Sequence, residues 1–207
     1  MSKLETITID TPSGSNTMQI GSTNTSTINL GVSGDTINVP AGVTIANAGT
    51  ATGFGGANTP AFEAYLNTTQ DIGDGVMTKI TANVERFDTD SAYDHSSNYR
   101  FTPQTAGKYY VYLEAVGYST TGGDTNIIVA YGEIRKNGSR YIYNVDHQPS
   151  YGVRQQTINI SGIIDMNGSS DYVEPFAEVN VSSGNGTLRG NSDGSLNTKF
   201  GAFRIIT

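Results

Sequence analysis

The chain has 207 residues, no cysteine and a formal net charge of −7, from 12 basic and 19 acidic residues. This balance argues against binding nucleic acid or anionic lipid through a general basic patch, so we expect neither nucleic-acid binding nor membrane insertion. Because no disulfide can form, stability must come from a buried core and from association of subunits.

The first 59 residues are poor in charge and carry short apolar-x-apolar units separated by Gly, Ser, Thr and Asn. The units are residues 18–20, 28–30, 37–39 and 43–45. A strand this short is unstable alone, so such repeats bury their apolar side chains only against copies of themselves or other chains. The pattern predicts a repetitive β-structured stalk of three chains with a neck at residues 46–58. A disordered polar linker is the alternative.

A head of short strands is predicted for residues 60–207, with turn signals between the strands. The predicted strands are residues 60–66, 76–84, 107–118, 126–135, 141–145, 157–166, 172–181 and 200–206. We predict a turn at residues 71–75, a long loop at 87–103, a hairpin turn at 120–124 and a two-residue hairpin at Asn137-Gly138. Leu188 is expected to anchor a further short strand. Eight to ten strands without a helix indicate an all-β, two-sheet sandwich.

Residues 107–118 give the strongest strand signal because aromatic and β-branched side chains crowd them. Alternation along a strand sends its side chains to opposite faces, and here both faces are apolar. A sheet with one face in water accounts for one of them, so the other needs a second sheet or subunit. The residues assigned to the core or the subunit interface are Tyr109, Tyr110, Val111, Tyr112, Leu113 and Phe203.

A family resemblance supports this assignment. The order Phe87, Asp94, Tyr99, Phe101 and then Gly107-x-Tyr109 resembles the signature of the globular head of complement component one, subcomponent q. That family consists of jelly-roll trimers related to the tumour necrosis factors. Further similar segments are residues 60–66, 132–139, 161–175 and 199–207. The resemblance covers roughly residues 60–207 and implies a trimeric jelly-roll knob.

We find no arrangement of residues that favours catalysis. Gly190-Asn-Ser192-Asp-Gly194 matches the G-x-S-x-G pattern, but a nucleophile elbow needs a strand before it and a helix after it, and this segment reads as a polar turn. His95 and His147, without cysteine, fit neither a catalytic triad nor an ordinary zinc site. We therefore expect no enzyme activity and no cofactor.

One acidic set resembles a metal site. Asp88, Asp90 and Asp94 alternate in a predicted loop, and their oxygen atoms are the ligands that calcium prefers. The family resemblance supports calcium, because some relatives bind it near the trimer apex. The spacing does not match an EF-hand, and Asp in loops commonly forms turns. We favour the turn-forming role.

Twelve tyrosines and no tryptophan form the most informative bias in composition. Exposed tyrosine rings stack on sugars while neighbouring amides bind hydroxyl groups. The candidates for receptor binding are Tyr118, Tyr141, Tyr143 and Tyr151. Filling of the core or of the subunit interface is the alternative.

These features look like a virion protein of a bacteriophage: a homotrimeric tail fibre, head fibre or spike made in the host cytoplasm, since no signal-peptide-like segment begins the sequence. Its residues 1–59 would attach to capsid or tail proteins, and its knob would bind a host-surface glycan or protein with avidity from three sites. The alternatives are a capsid decoration protein without a receptor role and a bacterial glycan-binding module.

Overall fold

The computed structural model describes Ile20 and residues 27–46, 58–119, 126–148, 150–191 and 194–205. The chain divides into two compact units, Met1–Ala51 and Thr52–Thr207. The boundary between stalk and head that we predict at residue 59 stays a prediction. No helix among the described residues is long and apolar enough to cross a membrane.

Two turns of one design lie in the described part of the first unit. The Asp35 N–H donates to the Val32 carbonyl at 3.0 Å, and the Val43 N–H donates to the Pro40 carbonyl at 3.2 Å. Each turn has glycine at its third position, with φ of 97° at Gly34 and 87° at Gly42, where a side chain would strain the backbone. The two turns begin eight residues apart, which supports the repeat seen in the sequence.

The apolar side chains of these residues all face water in the single chain. Their exposed fractions run from 41% to 79% for Ile28, Leu30, Val32, Ile37, Val39, Val43 and Ile45. Residues 27–46 contain no strand. One copy therefore does not form the predicted β-stalk in this segment, and strand pairing there requires a partner chain.

The described residues of the second unit form thirteen strands and no helix. They are β1 (Ala61–Tyr65), β2 (Gln70–Gly73), β3 (Thr78–Lys79), β4 (Val84–Asp88), β5 (Tyr93–Asp94), β6 (Arg100–Phe101), β7 (Ala106–Tyr118), β8 (Ile127–Lys136), β9 (Ser139–His147), β10 (Gln155–Asn167), β11 (Val173–Val181), β12 (Gly186–Leu188) and β13 (Lys199–Arg204). This confirms the all-β prediction.

The strands form two antiparallel sheets. Sheet A has the order β2-β12-β7-β13-β1-β4, with β10 along the other side of β7, and sheet B has the order β5-β6-β11-β8-β9, with β3 beside β11. The long strand β7 pairs with β10 over its whole length. Its opposite side pairs with β13 in the middle and with β12 at the end. Strand β7 is therefore the centre of sheet A.

The core lies between the two sheets and is aromatic at one end. Phe62 stacks on Tyr93 at 4.5 Å and on Phe101 at 4.6 Å between ring centroids, and Tyr109 meets Phe101 edge to face. Leu188 is fully buried in the same core, which confirms its predicted role as an inward anchor. The aromatic rings provide large buried areas in place of the missing disulfides.

The segment at residues 70–84 differs from its prediction. Asp71, Ile72 and Gly73, which we expect in a turn, belong to strand β2. Most of the strand expected at 76–84 is absent, with only Thr78–Lys79 in β3 and Val84 at the start of β4. The reason is the side chain of Gln70, which donates to the Lys79 carbonyl at 2.8 Å and accepts from the Thr81 N–H at 3.0 Å. A side-chain amide thus replaces the backbone ladder that a strand would use.

One predicted hairpin is correct and another is wrong. Asn137 and Gly138 have φ of 51° and 79° and join β8 to β9, which is the geometry of a two-residue hairpin. Residues 120–124, where we predict the other hairpin turn, lie outside the described residues, but the strands on either side of them, β7 and β8, belong to different sheets and do not pair. The loop predicted at 87–103 contains the end of β4 and the short strands β5 and β6.

Candidate interaction surfaces

Strand β7 presents different sets of side chains to the two faces of sheet A. Tyr109, Val111 and Leu113 point into the core and are at most 1% exposed. Tyr110 and Tyr112 are half-buried on the outer face, where none of the strands in the described ranges covers them. The six residues that we assign to the core or the subunit interface therefore fall into two groups. Tyr109, Val111 and Leu113 lie in the core, and Tyr110, Tyr112 and Phe203 lie on the outer face.

The outer-face residues form a compact cluster, which we call the aromatic patch: Tyr110, Tyr112, Ile163 and Phe203. Tyr110 is in register with Phe203 on β13 and with Ile163 on β10. Ring centroids lie 5.3 Å apart for Tyr110 and Phe203 and 6.2 Å apart for Tyr110 and Tyr112. Ile163 is 58% exposed and Phe203 is 37% exposed. Contiguous exposed apolar surface of this kind is typical of an interaction site.

A buried carboxylate lies beside the aromatic patch. Glu63 on β1 is 7% exposed and accepts hydrogen bonds from the Tyr112 hydroxyl and from Arg86 Nη1, each at 2.5 Å. Burial, together with the bond to Glu63, raises the pKa of Tyr112. The Tyr112 ring crosses Gly201, where a Cβ atom would meet the tyrosine at 2.3 Å. Glycine at position 201 therefore lets Tyr112 reach Glu63.

A shallow depression of about 240 Å³ continues the patch toward β10. It is open to solvent and lies along β7 and β10. Its lining residues are Tyr110, Tyr112, Leu113, Glu114, Asn159, Ile160 and Ser161. The depression combines aromatic, amide and hydroxyl groups, so it can accept a protruding side chain of a partner.

Sheet B carries charged groups on its outer face. Glu133 on β8 is 1% exposed and accepts from Arg135 Nε at 2.8 Å and from Arg140 Nε at 2.5 Å. The Arg140 guanidinium also lies 5.0 Å from the ring centroid of Tyr143. Two cations of the same chain thus cover one buried carboxylate.

The neighbouring part of this face is covered in the same way. Glu174 on β11 is 5% exposed and forms an ion pair with Lys79. Phe176 lies between them and Arg135, with its ring centroid 3.8 Å from the guanidinium of Arg135 and 5.6 Å from Lys79 Nζ. Cation–π contacts and ion pairs within the chain therefore shield the aromatic surface of sheet B.

The four tyrosines predicted to bind a receptor do not come together. The hydrogen bonds from Arg204 to Pro60 and from Ile205 to Lys108 place the start of the head, the start of β7 and the end of β13 at one end of the sandwich. Tyr118 ends β7 at the other end, which we call the apex. Tyr151 is 81% exposed and precedes the first residue of β10, Gln155, which pairs with Tyr118. Tyr141 and Tyr143 lie on β9, closer to the base.

Two arginines that the sequence analysis did not single out lie at Tyr118. Arg154 Nη2 donates to the Tyr118 hydroxyl at 2.8 Å, and the Arg154 and Arg189 guanidinium groups lie 5.4 Å and 5.7 Å from the ring centroid. The three residues are far apart in the sequence and meet where β7, β10 and β12 reach the apex. No local pattern could have indicated this cluster.

Asn126 connects the apical segments. This side chain is fully buried, and its Nδ2 atom donates to Ser119 Oγ at 2.7 Å and to the Ser183 carbonyl at 2.8 Å. Its Oδ1 atom accepts from Ser182 Oγ at 2.6 Å and from the Ser183 N–H at 2.9 Å. The Asn126 amide thus connects Ser119, just after β7, to Ser182 and Ser183, just after β11.

We expect Asn126→Ala to destabilise the head by about 1–3 kcal/mol, because it leaves buried polar groups of the apical segments without these bonds. The free energy of unfolding in urea would measure the loss. Asn185→Ala is the matched control, since Asn185 bonds Asp71 at the surface and should change stability by at most about 0.5 kcal/mol. Equal stability of Asn126→Ala and the parent chain would contradict the role of this amide.

The side chains of Asp88, Asp90 and Asp94 accept hydrogen bonds from groups of their own loop. Asp88 Oδ2 accepts from the Tyr93 N–H at 2.8 Å, and Asp90 Oδ2 accepts from the Thr89 hydroxyl at 2.6 Å. Asp94 accepts from three successive backbone N–H groups. Among the described residues, no group of three or more His, Asp or Glu side chains is placed to hold a metal ion. The geometry fits turn formation.

The turn at Asp94 predicts a pH dependence. The Ser97 N–H contributes most to lowering the pKa of Asp94 far below its usual value, with further bonds from Ser96 and Asn98. A depressed pKa in the folded state means that this stabilisation is complete above the unfolded value of 3.8 and is lost as the pH falls below it.

We therefore expect the thermal midpoint of the parent chain to fall more steeply than that of Asp94→Asn between pH 5 and pH 2. The difference between the two slopes should match the pH dependence of stability that one carboxylate contributes. Asp94→Asn should have the lower midpoint at neutral pH. Parallel pH curves for the two proteins would show that the Asp94 bonds do not stabilise the folded loop.

The segment that matches G-x-S-x-G lies only partly within the described residues. Gly190 packs closely on the loop between β1 and β2, so a Cβ atom at this position would lie 2.2 Å from the carbonyl carbon of Thr68. Ser192 lies outside the described residues. His95 contacts Glu85 at 2.7 Å, and His147 lies edge to face with Tyr131. The expectation of no enzyme activity stays a prediction.

The two sheets, their antiparallel pairing and the central place of β7 define a jelly-roll sandwich. No protein-family model matches this chain, and no curated protein sequence matches it. Among solved structures, the globular domain of zebrafish complement 1qA protein is similar, with a TM-score of 0.50, 14% identity and coverage of 71% of this chain and 98% of that chain.

The structure of Eiger TNF from S. frugiperda is also similar, with a TM-score of 0.50, 7% identity and coverage of 70% of this chain and 91% of that chain. At these identities the similarity shows the fold alone. The head therefore has the jelly-roll fold shared by complement 1q heads and TNF proteins, as the sequence predicts.

Proposed function

We propose that this protein is a homotrimeric fibre or spike of a bacteriophage virion, whose jelly-roll knob binds a receptor or glycan on the host surface. The observation that carries the proposal is the aromatic patch on the outer face of sheet A. Tyr110, Tyr112, Ile163 and Phe203 remain partly exposed there in the single chain. The phage context and the receptor role rest on the sequence arguments and not on the fold.

The two outer faces of the sandwich differ in a way that selects the face for association. Sheet B covers its aromatic ring at Phe176 with Lys79 and Arg135 and buries Glu133 and Glu174 in ion pairs. Moving such a charged face out of water is costly. Sheet A also buries an ion pair, Glu63 with Arg86, at the Tyr112 hydroxyl, but Tyr110, Ile163 and Phe203 stay partly exposed. Burying them stabilises a complex by about 25 cal/mol per Å² of apolar surface.

A second copy is the occupant that we propose for the patch. The jelly-roll trimer implied by the family resemblance uses one closed threefold arrangement, which leaves no apolar surface for open-ended growth. The apolar side chains exposed in residues 27–46 add an independent argument, since these repeats also need partner chains to become covered. Self-association thus accounts for exposed apolar surface in both units.

The receptor role follows from the two ends of the head. The chain enters at the base, near Pro60, so the apex is the end furthest from that point along the strands. Loops at the apex are free to vary without disturbing the sheets, which suits recognition. Three identical apical sites would give avidity to a weak individual contact. Residues 1–59 would then attach to capsid or tail proteins.

The mass of the full chain in solution tests the proposal. Light scattering should give three times the mass of one 21.9 kDa chain. The same measurement on residues 52–207 shows which unit drives association: a trimeric fragment assigns it to the head, and a monomeric fragment assigns it to the first unit. A monomeric full chain at micromolar concentration would overturn the trimer.

Binding of the labelled full chain to bacterial cells tests the receptor role separately. Saturable binding to a host strain is expected. A trimer that binds capsids and no cells would instead support a capsid decoration protein, and a head that binds free glycans without any virion would support a bacterial glycan-binding module.

A further inference from the structure

A β-bulge on strand β9 turns Arg140 toward a buried carboxylate. Ile142 and Arg140 pair with successive residues of β8, so Tyr141 between them is an extra residue on β9. In a regular strand Arg140 would point to the same side as Ile142, which packs on the core. The bulge instead places it with Arg135 on the outer face of sheet B, where both bind Glu133. Bulges commonly redirect a side chain in this way at functional sites.

Glu133 holds two arginines and leaves some of their donors unused. Arg135 Nε donates to one carboxylate oxygen at 2.8 Å, and Arg140 Nε and Nη2 bind the other. Among the described residues, the two guanidinium groups make no further hydrogen bond. The arginine side chains are 27% and 55% exposed, so their remaining N–H groups can reach a ligand. Guanidinium groups bind carboxylates through two parallel hydrogen bonds.

The cluster of Glu133, Arg135 and Arg140 is positive on an acidic chain. Two guanidinium groups share one carboxylate, which leaves one net positive charge, whereas the whole chain carries −7. The adjacent ion pair of Lys79 and Glu174 adds no net charge. Burying a carboxylate in a sheet costs free energy that a well-packed apolar residue would not. Glu133 therefore serves to hold the two guanidinium groups in place.

An exposed tyrosine lies next to these arginines. The ring centroid of Tyr143 is 5.0 Å from the Arg140 guanidinium, and Tyr143 is 58% exposed, so its ring can stack on a ligand. A uronate residue carries its carboxylate directly on the pyranose ring, whose C–H groups form an apolar face. One such residue can contact the tyrosine and the guanidinium at once. An acidic peptide has no apolar ring beside its carboxylates, which favours the saccharide.

We propose that Arg135, Arg140 and Tyr143 form a site for the carboxylate groups of an acidic saccharide. The site lies on sheet B, on the opposite side of the sandwich from the aromatic patch, so it stays open in the proposed trimer. It rests on the proposed recognition role of the knob, names the class of ligand and adds a second location to the apical loops.

Calorimetric titration of the full chain with hexagalacturonate tests this site, with neutral maltohexaose and hexaglutamate as comparisons. Hexagalacturonate should bind, with an affinity that falls as salt is raised, and maltohexaose should not bind. Hexaglutamate carries its carboxylates without sugar rings, so it should bind about 10-fold more weakly than hexagalacturonate.

Single substitutions test the two parts of the site. Arg140→Gln should lower the affinity for hexagalacturonate roughly 10-fold to 100-fold, because charge-assisted bonds to the ligand are lost, while glutamine can still donate to Glu133. Arg140→Lys keeps the charge but loses the two parallel bonds, so its affinity should be intermediate. Tyr143→Ala should lower the affinity without changing its salt dependence, since no charge is removed.

The matched control is Arg100→Gln, which removes the same charge from another arginine of sheet B, one that lies 4.4 Å from the ring of Tyr172. Strand β6, which carries Arg100, is three strands from β9, or about 14 Å at the usual strand spacing. This distance exceeds the Debye length of about 10 Å at about 0.1 M salt, so the affinity should stay within about twofold of the parent value. Thermal unfolding checks that each variant is folded.

Three results would overturn the site. They are no binding of hexagalacturonate by the folded parent chain, equal affinity for hexagalacturonate and either comparison compound, and equal losses of affinity in Arg140→Gln and Arg100→Gln. Light scattering and cell binding on the same samples separate these results from failure of the proposed function. A trimer that binds cells but not hexagalacturonate keeps the proposed function and loses the site. A monomeric chain that binds hexagalacturonate through Arg140 keeps the site and loses the trimer.

Discussion

Phe203→Asp is expected to convert the trimer that we propose to a monomer at micromolar concentration. Burying the phenylalanine ring contributes about 1.5–3 kcal/mol at each interface, and an aspartate there would add a desolvation penalty of several kcal/mol. Because the proposed trimer has three equivalent interfaces, this loss of association free energy occurs three times. Phe203 lies beside Tyr110 in the aromatic patch. Its side chain is 37% exposed in the single chain, so we expect the monomer to remain folded after the substitution. Light scattering and urea unfolding measure the two properties.

Tyr141→Asp is the matched control for this substitution. Tyr141 is 53% exposed on β9 of sheet B, and its replacement adds the same charge to a face that we do not assign to association. It should leave the mass at three chains. If Tyr141→Asp dissociates the trimer and Phe203→Asp does not, the association surface lies on sheet B and the assignment to the aromatic patch is wrong.

Glu133→Ala is expected to destabilise the head by about 3 kcal/mol, the largest effect that we expect from one polar side chain. The substitution removes a carboxylate that is 1% exposed and leaves Arg135 and Arg140 without their common partner. Both arginines reach water in part, which keeps the cost below that of a fully buried charge. A domain of this size should lose roughly 6–12 °C in its thermal midpoint.

The control for Glu133→Ala is Glu178→Ala on the neighbouring strand β11. Glu178 is half-exposed and in register with Tyr131 on the same outer face. Its loss should change stability by at most about 0.5 kcal/mol. Similar midpoints for the two variants would show that the ion pairs of sheet B do not stabilise the fold.

Local patterns predicted the features that depend on neighbouring residues. Strand β7 was recognisable because its side chains alternate between two apolar faces. The hairpin at Asn137-Gly138 was recognisable because asparagine and glycine tolerate the positive φ that this turn requires, which both adopt in the structure. The same reasoning failed at residues 76–84, where one distant side chain, Gln70, takes the backbone bonds. It failed again at residues 120–124, because a turn signal does not show which sheet the next strand joins.

The charged residues of the candidate surfaces show a second limit. Glutamate is seldom buried, and nothing in the sequence marks Glu63, Glu133 or Glu174 as buried residues. Each is buried because a cation or hydroxyl from another strand lies beside it in the folded chain. The pairs Glu63–Arg86 and Glu174–Lys79 join different strands, so sequence spacing carries no signal for them.

The amino-acid sequence by itself determined that the chain is an all-β protein with two apolar faces on its main strand, because side-chain alternation is a local property. Only the tertiary structure decided which of those faces stays uncovered and which arginines meet Tyr118. Both depend on the pairing of strands that are distant in sequence: β10 and β13 complete the aromatic patch beside β7, while β10 and β12 bring Arg154 and Arg189 to the apex. Long-range pairing is set by the burial of the whole core, and no short segment contains that information.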